Sequence, residues 1–455
     1  MLRRSAYLAI AAFAAWVPIA LGLTGCGDER LTRDELLDPD SCRTCHPQHY
    51  REWSGSMHAY ASTDPLFLAF NARGQRETGG ALGDFCVRCH APMARLEGAT
   101  TDGLNLPDLP RPLQGVTCYF CHLVDAVEGT HNNPLRLATD GVLRGGLPNP
   151  TPSPAHASAY SPLHDRAQPA SASLCGSCHD IVTQRGVHLE RTYLEWQQSL
   201  YAKGQQGQLS TCNRCHLPGR SGLAAEQPGV PLRRVSDHSM AAVDVALVDF
   251  PERDAQRALV QRELDHTLLA TLCVTRVMRG MELRVDLENV AAGHSFTSGA
   301  THDRRVWLEL VASLGGRTVF QTGVLADGER LLDLEEADPN LWRIGDRVLR
   351  EDGTKARAFW EVARYESELL LAPTAPRETD PGWRPTHKVR VFTVPTVADR
   401  VTMRVRLQPV GLDVLDHLIE GGDLSPELRE KMPTFDLGST VLEWTPERGS
   451  CVPEQ

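Results

Sequence analysis

The sequence predicts an α+β multidomain protein. A mostly helical and loop-rich region, whose core is bound cofactor, precedes an antiparallel β-sandwich. Three observations carry this. Ten of the 13 cysteines fall in five Cys-x-x-Cys pairs, the last ending at Cys215. Beyond about residue 270 no further pair occurs, and alternating β-branched and apolar runs take over. The length of 455 residues calls for two or three domains at roughly 100–200 residues each. The expected division is residues 1–25 as an export signal, 26–41 as a tether, 42–269 as the cofactor domain and 270–455 as the β-sandwich. Hydrophobic residues at 41% exclude a wholly disordered chain. A net charge of -11 argues against nucleic-acid binding, which needs a basic surface. The one long apolar run is N-terminal, so a multi-pass membrane protein is excluded.

That N-terminal run has the order of a signal peptide: Arg3-Arg4, an apolar stretch from Ala6 to Leu23, then Leu23-Thr24-Gly25-Cys26. Leu-Thr-Gly-Cys resembles the bacterial lipobox, which implies cleavage before Cys26 and lipidation of that thiol. Gly27 in place of Asp favours the outer over the inner membrane in the sorting pattern this resembles. The expectation is an exported, periplasmic or cell-surface lipoprotein held at a membrane by its lipid. Cleavage removes Arg3 and Arg4 and no acid, so the mature charge moves from -11 to about -13. The compartment is oxidising, so disulfides are allowed.

Each of the five pairs is followed by His: Cys42-Cys45-His46, Cys86-Cys89-His90, Cys118-Cys121-His122, Cys175-Cys178-His179 and Cys212-Cys215-His216. Two thiols at this spacing reach the two vinyl groups of one haem and form thioethers, and the next residue ligates the iron as the proximal His. A shuffled chain of this composition would contain about 0.014 such motifs. A redox dithiol has no need of a His after every pair, and zinc would use the pairs two by two, which five does not allow. The reading is five covalent haem c groups, each with its iron.

Electron-transfer haems take a sixth ligand, His or Met. Of the 17 histidines, twelve are not proximal, and ten of those lie before residue 303. His49, three residues past His46, reads as a surface histidine. Met93 reads as a filler packed against a porphyrin face, since thioether sulfur suits a core.

From 42 to 216 there are about 35 residues per haem, too few for an ordinary side-chain core. Helices are expected from Asp64-Pro65 to near Gly74, over about Leu189 to Ala202, and from about Glu252 to Leu269. Residues 143–173, with six prolines, read as a loop carrying His156 and His164. Expected strands are Glu282–Val290, Val306–Val311, Thr318–Val324, Ala358–Val362, Lys388–Val394, Val401–Leu407 and Thr440–Trp444. A helical insertion near Val414–Ile419 and Ser425–Lys431 precedes the last of them. Cys273 and Cys451, near the two ends of the β region, are either a disulfide or two buried thiols.

Several stretches resemble the cytochrome c-552/4-type multihaem cytochromes. After the first haem motif come Trp53-Ser54-Gly55-Ser56-Met57-His58-Ala59, matching Trp-x-x-Ser-x-His-Ala, in which the His is a distal ligand. Gly115-Val116-Thr117-Cys118, the stretch from Cys175 to Glu195-Trp196, and Gly293-His294-Ser295-Phe296 with Gly299 and Arg304-Arg305 are also similar. The last resembles Gly-His-x-Phe-Pro-Thr/Ser-Gly, with Thr297 where Pro is usual. The resemblance covers roughly 42–310. It implies distal ligands at His58, His131, His156, His238 and His294, with His164 and His188 as alternates.

Two functions follow. Closely packed bis-His haems have no open coordination position and would pass electrons between redox partners, other cytochromes or quinol-linked complexes. A haem lacking its distal ligand would instead reduce or oxidise a small nitrogen or sulfur compound such as nitrite, hydroxylamine or tetrathionate. Nitrite reductases with five haems usually carry Lys in the catalytic motif, whereas all five motifs here end in His, which favours the first reading. No phosphate loop or hydrolase elbow is present.

Overall fold

A computed structural model describes residues 29–204 and 209–453. The signal segment 1–25 and the expected lipidation site Cys26 lie outside the described residues. Among those described, no helix is long and apolar enough to cross a membrane.

The first half is built of short helices and turns, as the residue count per haem requires. Pro47–Ser54 (α1) opens directly on His46, and Pro65–Glu77 (α2) is capped by Asp64, whose carboxylate accepts from the Leu66 amide at 3.0 Å. Residues 29–41 are no free tether. Thr32 and Glu35 form a capping box ahead of the turn Arg33–Leu37, and Leu36 and Leu37 bury against Met93, Tyr119 and Phe120. Met93 is thus in a side-chain core. The expected helix over Leu189 to Ala202 is broken. His188–Glu190 is a strand paired with Ile181–Val182, and only Thr192–Gln198 (α3) and Leu200–Lys203 are helical. The Asp180 carboxylate, by accepting from the Tyr193 and Leu194 amides, starts α3 late. The Pro-rich region contains two short parallel strands, Val142–Gly145 and Ala157–Tyr160, and its end is helical over Ala170–Gly176. Arg253–Leu264 (α4) ends sooner than expected because the chain enters a strand at Leu268, ahead of the expected boundary at 270.

The second half holds two antiparallel sheets. Leu268–Val277 (β1) and Gly280–Asn289 (β2) form a hairpin; His387–Val394 (β6) pairs with β2, and Cys451–Val452 (β10) with β1. In the other sheet Arg305–Leu314 (β3) lies between Arg317–Thr322 (β4) and Arg400–Gln408 (β7), with Trp342–Ile344 (β5) also on β3 and Phe435–Asp436 (β8) and Leu442–Trp444 (β9) on β7. The period-2 pattern works as expected: Leu283, Val285 and Leu287 of β2 and Val306, Leu308 and Leu310 of β3 are all fully buried in one apolar cluster drawn from both sheets. Ala358–Val362 is not a strand. Glu361 folds back to accept from the Arg357 and Ala358 amides, which closes a 3-10 turn at Phe359–Glu361. The helical insertion is present at Leu412–Glu420 (α5) and Pro426–Lys431.

Cys273 and Cys451 are joined by a disulfide across a cross-strand pair, closing a sequence separation of 178 residues. Replacing both by Ser should lower stability by about 2–4 kcal/mol. Denaturant unfolding under non-reducing conditions reads this, and an unchanged midpoint counts against the staple.

Candidate haem-binding centres

Each Cys-x-x-Cys-His motif forms a single helical turn, so its two thiols project on one side and the His closes the turn. The His46, His90, His179 and His216 amides bond to the carbonyl of the first Cys of their own motif, and His122 lies within the helix Cys118–Leu123. Nine motif thiols are free: Cys42, Cys86, Cys89, Cys118, Cys121, Cys175, Cys178, Cys212 and Cys215. Burial pushes the thiols of Cys86 and Cys121 up to about 12, so both are protonated.

Four of the proximal-type histidines have Nδ1 tied to a backbone carbonyl: His46 to Ala224 at 2.6 Å, His90 to Ala61 at 3.2 Å, His122 to Arg144 at 2.5 Å and His216 to Ala241 at 2.8 Å. That bond fixes the tautomer and ring orientation and leaves Nε2 free to ligate a metal. Burial lowers the pKa of His46 and His90, and brings those of His122 and His179 down to about 4, so these four rings stay neutral as a ligand must.

The remaining histidines test whether a haem fits between. With metal–imidazole bonds of about 2.0–2.1 Å and roughly 1.1 Å more from nitrogen to ring centre, two axial rings have centroids about 6.2 Å apart. His156 faces His46 at 6.1 Å, His58 faces His179 at 6.1 Å, His294 faces His216 at 6.4 Å and His238 faces His122 at 6.4 Å. Four of the five expected distal residues thus lie 6.1–6.4 Å from a motif His, and His49 lies at a similar 6.2 Å from His46. The Nδ1 of His58 is buried with no hydrogen-bond partner, while those of His238 and His294 are held by the carbonyls of Ser236 and Ser295 at 3.0 Å each. The donors come in facing pairs; among the described residues no group of three or more converges on a bare-ion site.

His131 departs from expectation. Asn132 and Asn133, both at positive φ, anchor their loop on the carbonyls of Asp180 and Ser177 and carry His131 to the surface. Its ring lies 6.3 Å from His188, not opposite a motif His. His188 in turn bonds Asp180 at 3.1 Å. His164, the other alternate, is 5.4 Å from His122, too close for an axial pair, and its Nε2 is bonded to the Cys121 carbonyl at 2.8 Å. His49 is not a surface residue: it packs edge-on against His238 at 4.9 Å, and burial brings its pKa down to about 3. His90 faces no second His among the described residues; its ring is stacked on Phe67 at 4.1 Å.

Local sequence explains the placement of His58. The Trp53 indole donates to the Val116 carbonyl at 2.8 Å, the Ser56 hydroxyl caps the turn that presents His58, and the Val116 amide bonds the His58 carbonyl at 2.8 Å. A Cβ on Gly115 would sit 2.7 Å from the His58 carbonyl oxygen, and its φ of +67° also favours glycine. The Trp-x-x-Ser-x-His turn and the third motif are thereby locked together.

His294 is placed by the loop between β2 and β3. Glu195 of α3 accepts from the Ser295 amide at 3.2 Å and from the Ser298 hydroxyl at 2.7 Å. Arg304 pairs with Asp244 at 2.8 Å, and Arg191 with Asp346 at 2.8 Å, the latter pair buried. The Phe296–Thr297 peptide is cis.

The motifs are neighbours. The thiols of Cys42 and Cys118, of Cys89 and Cys178, and of Cys175 and Cys212 are close enough to shift one another's ionisation. The first motif thus adjoins the third, the second adjoins the fourth, and the fourth adjoins the fifth.

Residues 41–123 match the family of cytochrome c554 and c-prime. The fold is similar to that of a penta-heme cytochrome c552 from Thermochromatium tepidum, with a TM-score of 0.61 at 19% sequence identity, covering 92% of this chain and 99% of that one. No curated protein sequence matches the chain.

Proposed function

We propose that the chain is a multihaem c-type cytochrome that carries electrons through five haem c groups, one at each Cys-x-x-Cys-His motif; the matched segment 41–123 and the similar fold support this reading. The observation that carries this is the set of four facing His pairs at 6.1–6.4 Å. Haem c supplies one-electron redox chemistry at iron, and two nitrogen ligands keep that iron low-spin in both oxidation states. The chain's part is to fix the ligands: carbonyls orient four proximal rings, and desolvation holds the His58, His179 and His294 rings neutral. The adjoining motif thiols support a conduit with short steps between neighbours. The two sheets, read as a β-sandwich, cap the haem region and pin it through His294. Export, lipidation at Cys26 and attachment at the outer membrane complete the proposal, placing the conduit beside redox partner proteins, other cytochromes or quinol-linked complexes.

One observation favours the enzyme reading at a single site: His90 has Phe67 against its ring and no His opposite. A haem there with an open position would bind a small nitrogen or sulfur oxyanion. The electron paramagnetic resonance spectrum of the oxidised protein, with haem counted by pyridine haemochrome, separates the readings. Four low-spin haems and one high-spin haem that shifts with nitrite or cyanide support catalysis at His90. A wholly low-spin spectrum indifferent to both assigns every haem to electron transfer.

A further inference from the structure

We infer that the fifth attachment site is an electron port for an acidic redox protein, which docks on a surface formed by Arg166, Arg214 and Arg234. The inference rests on the electron-transfer reading above and adds where electrons cross the surface and what charge the partner carries.

Cys215 is exposed, whereas the other free motif thiols are partly buried. The fifth motif is therefore the one whose attachment point reaches the surface. Three arginines gather there. Arg214 lies inside the motif; the Arg166 guanidinium donates to the Arg214 carbonyl at 3.2 Å, and the Arg214 Nε donates back to the Arg166 carbonyl at 3.4 Å. Arg166 and Arg234 converge over Gly219, where a Cβ would lie 1.9 Å from the Arg166 Nη1 and 2.3 Å from the Arg234 Nε. Arg166 Nη1 is buried and makes no hydrogen bond. Among the described residues no ion pair joins any of the three to a carboxylate, although Arg191, Arg220, Arg304 and Arg305 nearby in the fold are all paired. Burial and the two neighbouring guanidinium groups lower the pKa of Arg166, so the crowding is unfavourable within the chain alone.

A chain with 58 acidic and 47 basic residues has here concentrated unpaired positive charge. The hairpin that carries Gly219 and Arg234, Gly219–Gly222 paired with Arg233–Ser236, is flanked by two exposed apolar side chains, Leu223 at 40% and Leu232 at 73%. A small apolar contact within a charged rim suits a transient redox complex, in which charge steers encounter and little area is buried. Carboxylates on the partner would pair with the exposed guanidinium groups of Arg214 and Arg234 and relieve the charge crowded around Arg166.

The test uses the haem-loaded protein and the double variant Arg214→Glu/Arg234→Glu, with reduced plant-type [2Fe–2S] ferredoxin as an acidic donor and lumiflavin semiquinone as a neutral one. Stopped-flow haem reduction by ferredoxin should slow about tenfold or more in the variant at low ionic strength, the gap closing at high salt, while the lumiflavin rate stays equal. Equal ferredoxin rates and equal salt slopes overturn the port. So does a variant that loses binding to phosphatidylglycerol vesicles but keeps its ferredoxin rate, since the arginines then serve a lipid surface. If the wild-type haems accept electrons from neither donor, the electron-transfer reading itself falls, a result distinguishable from either of these.

Discussion

Replacing His58 by Ala should leave every haem attached and turn one of them high-spin. Attachment depends on the two thioethers and the proximal His, none of which the substitution touches. His58 stands 6.1 Å from His179, and among the described residues no other histidine outside the motifs has its ring against that of His179. The electron paramagnetic resonance spectrum of the oxidised variant should lose one low-spin signal and gain one high-spin signal, while intact mass is reduced only by the side-chain change. The Ser56 cap, the Trp53 bond and the Gly115 contact do not involve the imidazole, so the local turn should persist. An unchanged low-spin count shows that His58 is not a ligand.

His294→Ala should combine a spin change with a loss of stability. His294 lies on the loop between β2 and β3 yet faces His216 of the cofactor region at 6.4 Å, so an iron between them would bolt the two halves together. The interface that remains is mixed: Arg304 pairs with Asp244, Arg191 with Asp346, and Glu195 with Ser295 and Ser298, while Leu66 and Ala69 pack on Leu412, Leu415 and Leu418, and Leu189 on Val348 and Val362. Losing the bolt should cost about 2 kcal/mol, which for a domain of this size lowers Tm by about 4–8 °C. Calorimetry should also show the halves unfolding in separate transitions where the parent unfolds in one. A parent that already melts in two steps, with no change in the variant, means that His294 does not couple them. The contrast with His58→Ala is the control: both make one haem high-spin, but only His294 joins the two halves.

Much of the β region was legible because each strand alternates over enough residues for the period to declare itself. β2, β3, β6 and β7 fall within a few residues of their expected bounds. Ala358–Val362 misled because a five-residue apolar run carries no information about Glu361, whose carboxylate folds the segment into a turn. The cofactor region was less legible. Leu189 to Ala202 has helical spacing, yet Asp180 caps the chain after His188–Glu190 has paired as a strand. Residues 29–41 looked like a tether because two leucines in a row show no period, and their burial depends on Tyr119 and Phe120 far along the chain. Nothing in the sequence separated His131 from the other candidate ligands; the positive φ of Asn132 and Asn133 did.

The five Cys-x-x-Cys-His motifs were legible in the sequence alone, because the two thiols and the His lie within five consecutive residues whose geometry is one helical turn. The distal partners were decided only by tertiary structure. A ring about 6 Å from a motif His comes from another part of the chain, and which histidine arrives there depends on caps, glycine contacts and loop anchors that act between residues distant in sequence. The same holds for the arginine cluster at the fifth motif. Arg166, Arg214 and Arg234 are unremarkable along the chain and become a charged surface only because Gly219 lets two of them meet.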